Sequence, residues 1–130
     1  MQRFSAVFLF FALLFAIPYV TGNAAAADSS PCYRQFEFAE RLFDEKDYER
    51  AVTEYKRFIF LFPGNTLSEE AAFMIGRSYF NDERWNESIV SFGLFTEKYK
   101  ESNRIAEAHY FKGAGERRLK RFEDALVSFN

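Results

Sequence analysis

Few residues in this chain are able to do chemistry, and their spacing assembles none of the usual constellations. One histidine, His109, and one cysteine, Cys32, leave no intramolecular disulfide, no His/Cys zinc cage and no Cys–His nucleophilic pair to build. Carboxylates come in short runs such as Glu69-Glu70 and Asp82-Glu83. These fall at turns or helix starts, where acidic groups complement the positive end of the helix dipole rather than forming an acid/base pair. His109 has no ligand set near it and reads as a helix-surface residue. Gly-rich phosphate loops, metal-ligand spacings and nucleophile elbows are missing from the sequence. Asn86-Glu87-Ser88 matches a glycosylation sequon, but Ser88 belongs to a column of small residues expected to be buried. Nothing in the sequence calls for an enzyme, a cofactor or a metal.

Charge narrows the partners. Lys plus Arg number 17 against 19 Asp plus Glu, a net charge of −2, without the clustered basic excess of a nucleic-acid footprint. Lys112, Arg117, Arg118, Lys120 and Arg121 do cluster locally. Their plain reading is a solvated face near a helix C-terminus, and the alternative is a patch for an anionic partner. A chain of 130 residues allows one small domain or a short array. Its 18 phenylalanines are far more ring surface than a disordered chain carries, so the rings must pack.

Residues 1–27 read as a secretory signal peptide. A positive start at Met1-Gln2-Arg3 leads into an apolar run from Phe4 to Val20, and Ala24-Ala25-Ala26-Ala27 supplies a small-residue exit. Cleavage is expected after Ala26 or Ala27, leaving roughly 103 residues. The alternative is an uncleaved anchor, although a run broken by Pro18 is short against the ~20 residues that span a bilayer. Cys32 follows Ser29-Ser30-Pro31, a poor match to a lipidation pattern. A free thiol able to bridge to another chain is the plainer reading.

The elements that must position everything else come from an internal repeat. Tyr48, Trp85 and Phe122 stand 37 residues apart, as do Ala51, Ser88 and Ala125. Tyr55, Phe92 and Phe129 keep the same offset, as do Phe36, Phe73 and Tyr110, and then Ala39, Gly76 and Gly113. Each unit reads as two helices. Thr66-x-x-Glu69 looks like a capping box for the second unit's first helix, with Ala72, Phe73, Ile75, Gly76, Tyr79 and Phe80 on its apolar positions. Asn81-Asp82-Glu83-Arg84 is a polar turn, after which Trp85, Ser88, Ile89, Phe92 and Phe95 share one face of a second helix. Asp47 is the expected N-cap of the first unit's second helix, and Pro63-Gly64-Asn65 ends it. Period-two alternation is too brief for a strand, so the expected fold is all-α. Glycine inside a helix costs about 1 kcal/mol relative to alanine. The Ala39/Gly76/Gly113 column therefore marks a close crossing, small against the Ala51/Ser88/Ala125 column, with the large rings filling in on either side.

Those columns resemble the tetratricopeptide repeat. A small residue, an alanine-type residue twelve on and an aromatic four beyond that recur as Ala39–Ala51–Tyr55, Gly76–Ser88–Phe92 and Gly113–Ala125–Phe129. Pro63 and the Asp47-Tyr48-Glu49-Arg50-Ala51 turn also match. The resemblance covers residues 32–130 and implies a TPR-like α-solenoid of about two and two-thirds antiparallel helix pairs, over 32–68, 69–105 and an incomplete 106–130. Departures are the period of 37 against the usual 34 and Glu116, which stands in the column of Leu42 and Tyr79. Aromatic-rich second helices and an exported leader look like the bacterial envelope members, among them the β-barrel assembly lipoprotein, pilus-secretin pilot proteins and the Tol-Pal coordinator.

In such arrays the first helices line a concave groove. By column, its expected exposed edge holds Tyr33, Glu40, Phe43 and Asp44 in the first unit, with Phe36 beside them on the expected partner-binding face. Glu70, Phe73, Arg77, Phe80 and Asn81 follow in the second, and Glu107, Tyr110, Ala114, Arg117 and Arg118 in the third. The alternative for Phe36, Phe73 and Tyr110 is core between units. The Lys/Asn set that resembles a C-terminal carboxylate clamp is missing. Because arrays need capped ends, the unfinished third unit is expected either to continue in a longer array or to be covered by a partner, including a second copy. The function implied is an exported, periplasmic or envelope scaffold for a protein or peptide partner, without nucleic acid. The alternative is a membrane-anchored structural subunit of an outer-membrane assembly or secretion machine.

Overall fold

The computed structural model describes residues 30–130; the leader and its expected cleavage point lie outside them. The described residues form six α-helices and no strand: α1 (Pro31–Asp44), α2 (Tyr48–Leu61), α3 (Ser68–Asn81), α4 (Trp85–Lys98), α5 (Ile105–Arg118) and α6 (Phe122–Phe129). The all-α expectation holds.

Local chemistry sets most of the helix ends. Pro31 occupies the first turn of α1, and the Ser30 hydroxyl accepts the Tyr33 N–H at 3.3 Å. Asp47 caps α2 as expected, accepting the Arg50 N–H at 3.3 Å and pairing with its guanidinium at 3.0 Å. At α3 the expected capping box does not form. The helix follows Leu67 with no side-chain cap, because the Asn65 side chain takes the Leu67 N–H at 2.9 Å and shapes the turn itself. Glu69 is drawn away to the loop after α4, where its carboxylate accepts the Ser102 hydroxyl at 2.6 Å.

The three tight turns share one closure. Lys46, Glu83 and Lys120 adopt φ of 63°, 59° and 60°. The following N–H groups, of Asp47, Arg84 and Arg121, each reach back 2.9 Å to the carbonyls of Leu42, Tyr79 and Glu116. This is the left-handed helix stop usually given to glycine; a side chain there costs on the order of 1 kcal/mol.

Each helix packs on its neighbours in the chain, and α3 also touches α5 directly. One core cluster joins α1, α2 and α3 through Phe36, Leu42, Val52, Tyr55, Phe58 and Ile75. The other centres on Phe73, whose ring meets Phe92 at 5.3 Å, Phe95 at 5.4 Å and Phe111 at 6.3 Å, mostly edge to face.

The small column is partly corrected. Ser88 is fully buried and its hydroxyl donates to the Gly76 carbonyl at 3.1 Å, so small does meet small. The space a Cβ would need, however, is filled by a ring rather than lying beside one. A methyl on Gly76 would stand 2.8 Å from Phe92 Cζ, and one on Gly113 would stand 2.7 Å from Phe129 Cε1. Ser88, the hydroxyl residue of the sequon, is thus buried, while Asn86, whose amide would carry a glycan, is exposed. In the third hairpin Glu116 is buried at 4 % exposure. It accepts the Ser128 hydroxyl at 2.7 Å and pairs with Lys112 Nζ at 3.3 Å. Where Leu42 fills its column with carbon, this hairpin uses a satisfied polar triad, and Lys112 is thereby removed from the basic surface cluster.

Candidate functional site

The face shared by α1, α3 and α5 can be followed residue by residue. Phe36 and Phe73 are buried, Phe73 completely, so the expected exposed edge is corrected at Phe73, and both rings are core. Phe36 packs on Tyr55 and Phe58 at 5.8 and 5.4 Å, and Phe73 is covered by Phe111 and Arg104 of the next helix pair. Ala114 is buried as well. Tyr110, which shares their column, is 58 % exposed, with the half-exposed Phe129 ring of α6 beside it at 6.2 Å.

Glu40 is half-buried and accepts a short hydrogen bond from the Tyr55 hydroxyl. Burial, reinforced by this bond and by the charges of Glu40, Glu70 and Asp44, pushes the Tyr55 phenol far above its ordinary value of 10.0. Phe43 is half-buried against Tyr48 at 5.4 Å, and Phe80 sits between Trp85 and Phe111 at 5.1 and 5.0 Å. Arg117, with Tyr33, Asp44, Asn81 and Arg118, is exposed.

Arg77 is the best-positioned cation of the face. Its guanidinium lies 4.7 Å from the Phe111 ring centre and 3.5 Å from the Glu107 carboxylate, while its buried Nε has no hydrogen-bond partner. Beside it, Arg104 stacks 3.7 Å over Phe73 and pairs with both Glu70 and, at 3.3 Å, Glu107. Burial weakens the hold of Arg104 on its proton, but the Glu70 bond and the two carboxylate charges more than offset it and raise its pKa. The chain Glu70–Arg104–Glu107–Arg77 thus clamps α3 to α5. Sequence reading picks out three of its members and misses Arg104, because its Glu70 and Phe73 partners are brought to it only when α5 folds back against α3.

A second surface was also missed. Between α2, α3 and α4 lies an open apolar groove of about 430 Å³, lined by Ile75, Tyr79, Val90, Leu94, Phe95 and Tyr99, with Lys56 and Lys98 at its rim. Val90 and Leu94 are 61 % and 62 % exposed. Their signal in the sequence is an apolar i, i+4 pair lying off the Trp85/Ser88/Phe92/Phe95 stripe.

Among the described residues no group of three or more His, Cys, Asp or Glu side chains is placed to hold a metal ion, and no helix is long and apolar enough to cross a membrane. No protein-family model matches the sequence, and no curated protein matches it significantly.

Proposed function

We propose that the chain is an exported protein–protein interaction scaffold of the tetratricopeptide type, taking a protein or peptide partner on the face of its first helices, α1, α3 and α5. The architecture offers support. α1, α3 and α5 begin at Pro31, Ser68 and Ile105, and α2, α4 and α6 at Tyr48, Trp85 and Phe122. Both series carry the 37-residue offset of the sequence columns, and the same left-handed stop recurs at Lys46, Glu83 and Lys120.

The observation that carries the binding reading is the accessible row of aromatic and arginine side chains on this face. Phe43, Phe80 and Arg77 are half-buried, while Tyr110 and Arg117 are exposed. Aromatic and arginine anchors of this kind dominate interface energetics once a partner desolvates them.

A photo-crosslinking residue placed at Asn81 in cells tests the reading. We expect an adduct of defined mass in the envelope fraction, lost in a Tyr110→Ala/Arg117→Glu variant that keeps its helical circular dichroism. An adduct indifferent to those two substitutions, or none at all, would sink it. Export is tested separately, by whether the envelope-derived protein begins at Ala27 or Asp28.

A further inference from the structure

We propose that the α2/α3/α4 groove is a second docking site, on a different face from the one above, and that it receives an amphipathic helix bearing acidic residues at both ends of its apolar stripe. The floor is carbon: Ala72, Ile75 and Phe95 line it, with Val90 and Leu94 forming one wall. Exposed apolar side chains at helical spacing around a groove of this size suit the i, i+3, i+4, i+7 anchors of a docked helix.

Charge decides which helix. Lys56 stands toward the start of the α4 wall, where its Nζ donates to the Tyr79 hydroxyl at 2.9 Å and lies 5.3 Å from that ring, which also meets the Arg84 guanidinium at 4.8 Å. Lys98 stands at the other end, 5.3 Å from the Tyr99 ring. Neither lysine forms an ion pair with any described residue. The single lining carboxylate, Glu87, is held by Arg84 at 2.7 Å, so its charge is already answered. From Glu87 to Lys98 the wall runs along α4 for about 16 Å at 1.5 Å per residue, three helical turns. The groove therefore presents an apolar strip with an unpaired cation at each end.

The same charge pattern disfavours the chain's own apolar leader as occupant, since Met1 to Ala27 contains no acidic residue. It also disfavours a helix of basic character.

The test uses the whole chain and a synthetic amphipathic helix of about 16 residues, with leucines on one stripe and a glutamate at each end of it. A twin peptide carries lysine in place of glutamate. Fluorescence anisotropy should show the acidic peptide binding at least tenfold tighter than its twin. Lys56→Glu/Lys98→Glu should weaken the acidic peptide about tenfold and reverse the preference. Val90→Ser/Leu94→Ser changes only exposed side chains and should abolish binding of both peptides, whereas Tyr110→Ala/Arg117→Glu should leave it untouched. Circular dichroism confirms that each variant is folded.

Several results would overturn the proposal. One is no binding of the acidic peptide, and another is equal binding of the two peptides. A third is displacement of the acidic peptide, at equal concentration, by a peptide of residues 4–20. A dimer that Val90→Ser/Leu94→Ser dissolves would assign the groove to a second copy instead. Loss of the concave-face adduct with this groove intact would leave the inference standing, because the two rest on different residues.

Discussion

Tyr55 shows how a single side chain couples this fold to pH. Its ring is fully buried between α1 and α2, and its hydroxyl satisfies Glu40. Since burial and the neighbouring carboxylates raise its pKa, the folded chain keeps the phenol protonated where the unfolded chain ionises it near 10.0. The stability this contributes is complete below pH 10 and is lost as pH rises toward the folded-state value, by at most about 1.4 kcal/mol per pH unit. Tyr55→Phe should cost about 1–2 kcal/mol near neutrality, because the half-buried Glu40 loses its donor. The variant should also show a flatter decline above pH 10 than the parent. Urea titrations of both proteins from pH 7 to about 11 measure this; parallel declines above pH 10 would contradict it.

At the scale of the helix pair, one column of residues predicts two outcomes of opposite sign. Gly76 faces Phe92, a ring with no exposed surface, held by Phe73 and stacked at 5.4 Å on Phe111. A methyl at 2.8 Å from that ring forces movement in a packed core, which costs about 1–3 kcal/mol. The gain of about 1 kcal/mol from replacing glycine in a helix offsets only part of this. Gly76→Ala should therefore lower stability, by up to about 2 kcal/mol. Gly113 meets Phe129, but that ring is 47 % exposed, its centre 6.2 Å from that of Tyr110, so it has open space on the solvent side into which it can shift. Gly113→Ala should be neutral or stabilising by up to about 1 kcal/mol. Urea midpoints at unchanged slope decide the matter, and equal destabilisation of the two variants would refute the distinction.

Across the whole molecule, burial is uneven. α1 to α5 supply both core clusters, whereas α6 has eight residues and buries only Ala125 and Ser128. Local opening should follow that gradient. In hydrogen exchange the amides of α3, which supplies residues to both clusters, should be the slowest, and those of α6 should exchange at least tenfold faster. Substituting Ser128→Ala, which removes one of the two partners of the buried Glu116, should speed α6 further without changing α2. Uniform protection across the six helices would contradict this picture.

The amino-acid sequence determined most of the elements by itself. Apolar spacing marked the helices and their buried faces, Asp47 announced its cap, and runs such as Asn81-Asp82-Glu83-Arg84 marked the tight turns. These are short-range matters, decided by side chains within a turn or two of each other. The glycine column likewise announced a close approach, though not that a ring would fill it. Only the tertiary structure decided which buried face meets which neighbour. It covered Phe73 while leaving Tyr110 open, joined Arg104 to Glu70, satisfied Glu116 with Ser128, and placed Val90 and Leu94 beside Ile75. Each of these pairs residues on different helices, and helical periodicity fixes the direction a side chain leaves its own axis but carries no information about what the next helix lays against it.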